Sequence, residues 1–191
     1  MKATLQAIVL EARELFRERG YDGMSMADLA ARVGLKKASL YTRFPNKESL
    51  VGEVLSLTLD ETFEGLPETD ASHWRSTYEA VVRRTASALC DNKRCVGLHL
   101  AYGVSAETPK ARAAVHAYFE AFRDRLAAVL RPVADESVAR DAAADAILRL
   151  EGATLWLSTV GDDRPMGRAV DALLAEADDL GRAAEARILV K

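Results

Sequence analysis

Apolar residues recur every three or four positions along almost the whole chain, and this spacing constrains the fold more than any other feature. In the first predicted helix, over residues 3–19, the apolar set is Leu5, Ile8, Val9, Ala12, Leu15 and Phe16. The alternation typical of strands is not convincing in any segment. The chain has 191 residues, 49% of them hydrophobic, so it can bury a core. We therefore predict an all-α fold of about nine helices.

Membrane insertion and export are not predicted. No apolar run approaches the roughly 18 to 20 residues that a spanning helix needs. The start of the chain, MKATLQAIVLEARELF, has charged residues where a signal peptide would be apolar. Two cysteines are too few for a disulfide framework in a chain of this size. These features predict a cytoplasmic protein without a membrane partner.

Charge is distributed unequally between the two ends of the chain. Residues 1–47 contain nine Lys and Arg against five Asp and Glu, whereas the remainder contains 17 against 24. Such asymmetry is typical of a small head that binds nucleic acid, attached to a body with another task. We predict a DNA-binding domain over residues 1–47 and a second domain over residues 48–191.

The most informative stretch runs from residue 25 to residue 47. Ser25 can cap a short helix that ends at Gly34, and a second short helix begins at Lys36 or Lys37 and is ended by Pro45. From residue 29 to residue 47 there are five basic residues and no acidic one. This pattern predicts a helix-turn-helix with a basic exposed face.

A helix pair of this kind binds double-stranded DNA by placing its second helix in the major groove. Short or polar side chains in the first turns read base edges, while hydroxyl and basic groups bind flanking phosphates. A solvated basic face on an ordinary helix pair is the alternative. The predicted DNA-binding residues are Ser25, Lys36, Lys37, Ala38, Ser39, Tyr41, Thr42, Arg43 and Lys47.

Residues 12–55 closely resemble the amino-terminal domain of the TetR family of bacterial transcriptional regulators. The resemblance covers about a quarter of the chain and rests on Gly20, Tyr21, Ser25, Leu29, Ala30, Gly34, Leu40, Tyr41, Phe44, Lys47 and Leu50. It implies a three-helix head and a larger helical body that forms a homodimer. It also implies a repressor that a small organic effector releases from a palindromic operator.

One position departs from that family's pattern. Many members have a Ser or Thr cap where this chain has Lys36. The recognition helix is therefore expected to lack a capping hydroxyl, which is worth about 1 kcal/mol. We predict that Lys36 binds a DNA phosphate instead.

The last two predicted helices have strongly apolar stripes, which favour a four-helix interface between two subunits. Packing of both stripes inside one subunit is the alternative. The predicted interface residues are Ile147, Leu150, Ala153, Leu157, Val170, Leu173, Leu174 and Ala177.

Aromatic residues are concentrated in the body, and an apolar cavity with a few polar groups is how small organic ligands are usually held. Ordinary core packing is the alternative for each of them. The predicted effector-binding residues are Trp74, Tyr78, His99, Tyr102, Tyr118, Phe119, Phe122 and Trp156.

Cys90, Cys95 and His99 allow a different kind of regulator. They could form a soft-metal site, or a thiol sensor whose pKa is lowered by Lys93 and Arg94. Because only three candidate ligands are visible, we assign no metal and no cofactor. Catalytic motifs are absent from the sequence, so an enzyme is not expected. A helical architectural protein that binds DNA without an effector remains a further alternative.

Overall fold

The computed structural model describes residues 4–67 and 70–189, and these form nine α-helices without a strand, as predicted. The helices are α1 Leu5–Gly23, α2 Met26–Arg32, α3 Lys37–Arg43, α4 Lys47–Phe63, α5 Trp74–Asn92, α6 Val96–Gly103, α7 Pro109–Leu130, α8 Glu136–Val160 and α9 Arg164–Leu189. None of the helices in the described ranges is both long enough and apolar enough to cross a membrane.

The helices form two compact units. The first unit consists of Met1–Glu61 and Cys95–Phe119, and the second of Thr62–Arg94 and Glu120–Lys191. The first unit therefore contains more than the predicted DNA-binding domain, because α6 and the first turns of α7 belong to it. The division into compact units does not show which residues bind DNA, so the boundary of the DNA-binding domain after residue 47 stays a prediction.

The core of the first unit is built around α1. Ile8, Ala12 and Phe16 are completely buried, and the ring of Phe16 stacks on that of Tyr21 with 6.2 Å between centroids. Gly20 makes this stacking possible, because its φ of 70° interrupts the helix between the two rings. The helix resumes after this kink and continues to Gly23.

The second unit packs α5, α8 and α9 against one another. The predicted dimer residues lie in this core: seven of the eight are at most 7% exposed, and Ile147 is half-buried. Their apolar surface is used within one chain because each of these three helices contacts the other two. These residues are therefore packed within one chain, and their part in an interface between two subunits stays a prediction.

Helix α5 begins at Trp74. The amides of Ser72 and His73 donate to the Asp70 carboxylate at 2.8 and 2.9 Å, so a capped turn precedes the helix. The helix continues to Asn92. Cys90 consequently lies in the last turn of this helix.

Candidate DNA-binding surface

Helix α2 starts with a complete capping box. The Ser25 hydroxyl accepts a hydrogen bond from the Asp28 amide at 3.1 Å and donates one to the Asp28 carboxylate at 2.7 Å. The bond from the Ser25 hydroxyl lowers the pKa of Asp28. Ser25 thus acts as the predicted cap, and its only hydroxyl proton is engaged. To donate to a phosphate it must release Asp28.

Helix α3 has one buried side and one exposed side. Leu40 is completely buried and Phe44, which follows the helix, is 4% exposed. The residues predicted to bind DNA from this helix all lie exposed, and they are Lys36, Lys37, Ala38, Ser39, Tyr41, Thr42 and Arg43. Two apolar anchors therefore hold α3 in the head while its polar residues face solvent.

The side chains in the first turn of α3 make few contacts within the protein. Lys36 occupies the N-cap position and makes no side-chain capping bond, as predicted. The Lys37 ammonium lies 5.8 Å from the centroid of the Tyr41 ring. The Thr42 hydroxyl donates to the carbonyl of Ala38 at 3.0 Å.

Arg32 is basic and exposed, but its charge is paired with acids of the head. Its guanidinium contacts the carboxylates of Glu11 and Glu18 on α1 at 2.8 and 2.9 Å. These pairs join α2 to α1 and neutralise the charge of Arg32. The sequence count of basic residues in this stretch therefore overestimates the positive charge that faces a ligand.

Lys47 lies at the start of α4, and its ammonium points into the head. It donates to the carbonyl oxygens of Tyr21 and Met24 at 2.7 and 3.2 Å and lies 4.1 Å from the Tyr21 ring centroid. Partial burial lowers the pKa of Lys47. A phosphate contact by Lys47 remains a prediction and would have to use its third N–H.

The adjacent Glu48 makes a contact that the sequence did not suggest. Its Oε2 accepts hydrogen bonds from the amides of Lys110 and Ala111, at 2.9 and 3.0 Å, in the first turn of α7. The hydroxyl of Thr108, just before that helix, accepts from the Ser105 amide and does not cap the helix. Helix α4 itself is capped locally, because the Asn46 side chain accepts from the Ser49 amide at 2.9 Å.

The eight predicted effector-binding residues are divided equally between the two units. In the first unit, the rings of Tyr118 and Phe119 meet edge to face at 5.1 Å and His99 is half-buried, whereas Tyr102 is 84% exposed. A single pocket formed by the whole set stays a prediction.

The other four residues belong to the second unit. Tyr78 is 2% exposed, and burial raises its pKa to about 12. Phe122 meets Phe63 edge to face at 5.9 Å, and Trp74 lies against Gly181. Trp156 is 49% exposed and is the member of this group most open to solvent. Three of the four thus have contacts typical of core aromatics.

The two cysteines do not have the surroundings of a sensor. Burial and the nearby Asp163 and Asp91 raise the pKa of the Cys90 thiol, the opposite of the predicted effect of Lys93 and Arg94. Cys95 is buried, and its Sγ caps α6 by accepting from the Leu98 amide at 3.4 Å. Within residues 4–67 and 70–189, no group of three His, Cys, Asp or Glu could hold a metal ion, so the metal-site alternative is wrong there.

Helix α8 exposes an apolar face that the sequence reasoning missed. Leu148, Leu155, Trp156 and Val160 are 68, 62, 49 and 57% exposed. Leu155, Trp156 and Val160 follow Leu148 by seven, eight and twelve residues, and this spacing places all four on one side of the helix. Next to Trp156, a groove of about 520 Å³ is lined by Gly152, Ala153, Asp162, Arg164, Pro165 and Arg168. The helical spacing of these apolar residues was the signal available in the sequence.

Comparison with known proteins assigns the head to a family. Residues 8–54 match the profile described as "Bacterial regulatory proteins, tetR family". Over 90 residues the chain is 36% identical to the HTH-type transcriptional repressor KstR2 of Rhodococcus jostii, a match that covers 46% of this chain and 44% of that repressor. The chain therefore matches less than half of the length of that relative.

Solved structures extend the similarity to most of the chain. A TetR-family transcriptional regulator from Agrobacterium tumefaciens has a TM-score of 0.69 at 26% identity, covering 88% of this chain and 94% of that one. AibR, solved in complex with isovaleryl coenzyme A and operator DNA, has a TM-score of 0.60 at 20% identity and covers 90% of this chain and 96% of its own. At that identity the similarity to AibR concerns the fold alone.

Proposed function

Because the chain belongs to the TetR family of bacterial regulators, we propose that it is a DNA-binding transcriptional repressor. The observation on which this rests is the exposed side of α3, where Lys36, Lys37, Ser39, Tyr41 and Thr42 face solvent while Leu40 anchors the helix. Such a surface fits the major groove, with basic and hydroxyl groups placed for phosphates and base edges. KstR2, which is similar to this chain, is named a repressor. The protein acts in the cytoplasm, and we assign it no enzymatic activity and no cofactor.

The proposed function is tested by the salt dependence of binding to a duplex that the wild-type protein selects from a random DNA pool. Lys36→Ala should lower the slope of log affinity against log salt by about 1, because one phosphate contact is lost. Lys110→Ala, a substitution outside the proposed surface, should leave the slope unchanged. Equal slopes for wild type and Lys36→Ala would contradict the role of Lys36. A wild-type protein that prefers no duplex over competitor DNA would contradict the function itself.

The exposed face of α8 supports a homodimer. Its four large apolar residues, Leu148, Leu155, Trp156 and Val160, lie on one side of the helix and are costly to leave in water. The same face on a second copy would cover it in an isologous interface. Two heads held in this way can read the two half-sites of a palindromic operator.

A small organic effector is proposed to bind the second unit. Its helix α5 contains two threonine hydroxyls, those of Thr77 and Thr85, that are inaccessible to solvent and have no hydrogen-bond partner among the described residues. An unpaired buried hydroxyl costs about 1–3 kcal/mol. An effector with a polar group would satisfy one or both, and binding of this kind lowers the affinity for operator by favouring another arrangement of the heads.

Thermal-shift screening of a small-molecule library tests this part of the proposal. Compounds that stabilise the wild-type protein should stabilise Thr77→Val less, because valine has the shape of threonine without its hydroxyl. Ser76→Ala changes the neighbouring exposed position on α5 and should respond like wild type. Equal responses of Thr77→Val and wild type to every compound would exclude Thr77 from the effector site.

A further inference from the structure

Two adjacent charged residues at the start of α4 reach in different directions. Lys47 donates to the carbonyl oxygens of Tyr21 and Met24, in the segment between α1 and α2. Glu48 accepts from the amides of Lys110 and Ala111, in the first turn of α7. Consecutive helical residues point about 100° apart, so one turn of α4 can hold two separate segments. Both sets of contacts lie within the first unit.

The contact of Glu48 replaces a local helix cap. Helix α7 begins with Pro109, which has no N–H, so the first amides that need an acceptor are those of the next two residues. A single carboxylate oxygen of Glu48 accepts from both of them. A negative charge at this end of a helix is also favoured by the helix dipole. Because the hydroxyl of Thr108 is used elsewhere, the start of α7 depends on a residue of α4.

The same region of the head is also fixed by α6. A Cβ added at Gly103 would lie 2.8 Å from the Cβ of Tyr21, so the end of α6 touches the residue whose carbonyl receives Lys47. Glycine at this position permits that close approach. The segment that leads into the helix-turn-helix is therefore held by α4 from one side and by α6 from the other.

We infer that Glu48 is a positioning residue for DNA binding, which sets the start of α4 against α7 and thereby holds the helix-turn-helix in its operator-binding arrangement. The inference rests on the proposed function. Glu48 lies outside the proposed DNA surface, and its carboxylate is directed at the α7 amides. We expect Glu48 to act on operator affinity through this contact, in addition to the general effect that any acid has through its charge.

Thermodynamic linkage provides a test that a purely stabilising cap would not pass. If the contact favours the arrangement that binds DNA, DNA must strengthen the contact by the same factor. Hydrogen exchange of the Lys110 and Ala111 amides is therefore measured by NMR on the wild-type protein, with and without the selected duplex. We expect exchange to slow by about tenfold when the duplex is bound, within the usual range of coupling between sites.

Affinity measurements on variants complete the test. Glu48→Ala should bind the selected duplex about tenfold more weakly, whereas Glu48→Gln, which keeps a carbonyl acceptor, should lose less. Glu53→Ala is the matched control, because Glu53 is an exposed acid on the same helix and its removal changes the charge equally. It should bind like wild type.

The possible results separate this inference from the proposed function. Amide exchange that is unchanged by DNA, or equal affinities of Glu48→Ala and Glu53→Ala, would overturn the role of Glu48 while wild-type binding still supports a DNA-binding regulator. A wild-type protein that binds no duplex specifically would overturn both. Slower amide exchange in the presence of DNA, together with a selective loss of affinity in Glu48→Ala, would support the inference. If Glu48→Ala folds poorly, the exchange measured on the wild-type protein still tests the role of Glu48.

Discussion

At the scale of single residues, the kink near the end of α1 depends on one glycine. Gly20 has φ 70° and ψ −173°, a conformation that side-chain-bearing residues rarely adopt. A Cβ at this position would lie 3.0 Å from Nε2 of His99. Backbone conformation and close packing therefore both require glycine, and the stacked rings of Phe16 and Tyr21 on either side depend on it.

Gly20→Ala should lower the free energy of unfolding by about 1–3 kcal/mol, because alanine is strained in this conformation. Gly52→Ala is a matched control within α4, where an added Cβ would meet no atom within 4 Å. It should raise the free energy of unfolding by about 0.5–1 kcal/mol through its higher helix propensity. Urea unfolding measures both changes. Similar values for the two variants would contradict the role given to Gly20.

The residues that could be predicted from the sequence have local partners. Ser25 and Asn46 each cap an amide three residues away, and the positive φ of Gly20 follows from its place at the end of an apolar stripe. The partners of Lys47 and Glu48 lie 26 and 62 residues away in the chain. No short-range pattern signals such contacts, so Lys47 was assigned to DNA alone and Glu48 was not singled out.

At the scale of helices, α8 has two apolar faces, and the sequence does not show which of them is buried. One face contains Leu150, Ala153 and Leu157 and is buried by packing within the second unit. The other contains Leu148, Leu155 and Val160 and is exposed. Periodicity identifies both faces as apolar, but only the packing of α5 and α9 decides which one remains for a partner. The predicted interface residues of this helix belong to its buried face, and their part in an interface between two subunits stays a prediction.

Leu155→Glu should convert a dimer into a monomer, because it places a charge in the centre of the exposed row of α8. Leu5 is 54% exposed on α1, outside that row, so Leu5→Glu provides a control with the same change in charge. Sedimentation velocity distinguishes the two states. Equal sedimentation of Leu155→Glu and wild type would remove this face of α8 from the interface.

At the scale of the whole molecule, the distribution of charge along the chain fits a head that binds DNA and a body with another task. The net charge is −3, yet residues 1–47 contain more basic than acidic residues and the remaining chain the reverse. An acidic body is repelled by DNA while a basic head is attracted, so the head is favoured at first contact. The basic side chains exposed on α3 are those that remain after Arg32 has paired with acids of α1 and Lys47 has turned into the head.

Selection of bound sequences from a random DNA pool tests the central claim most directly, namely that α3 reads DNA and that two copies do so together. The wild-type protein should enrich an inverted repeat whose half-sites lie about one helical turn, or a multiple of it, apart. A variant with Lys37→Ala and Ser39→Ala should lose preference at positions within each half-site, while the spacing between half-sites stays the same. A wild-type pool without any enriched sequence, or a variant that selects the same sequence as wild type, would contradict the claim.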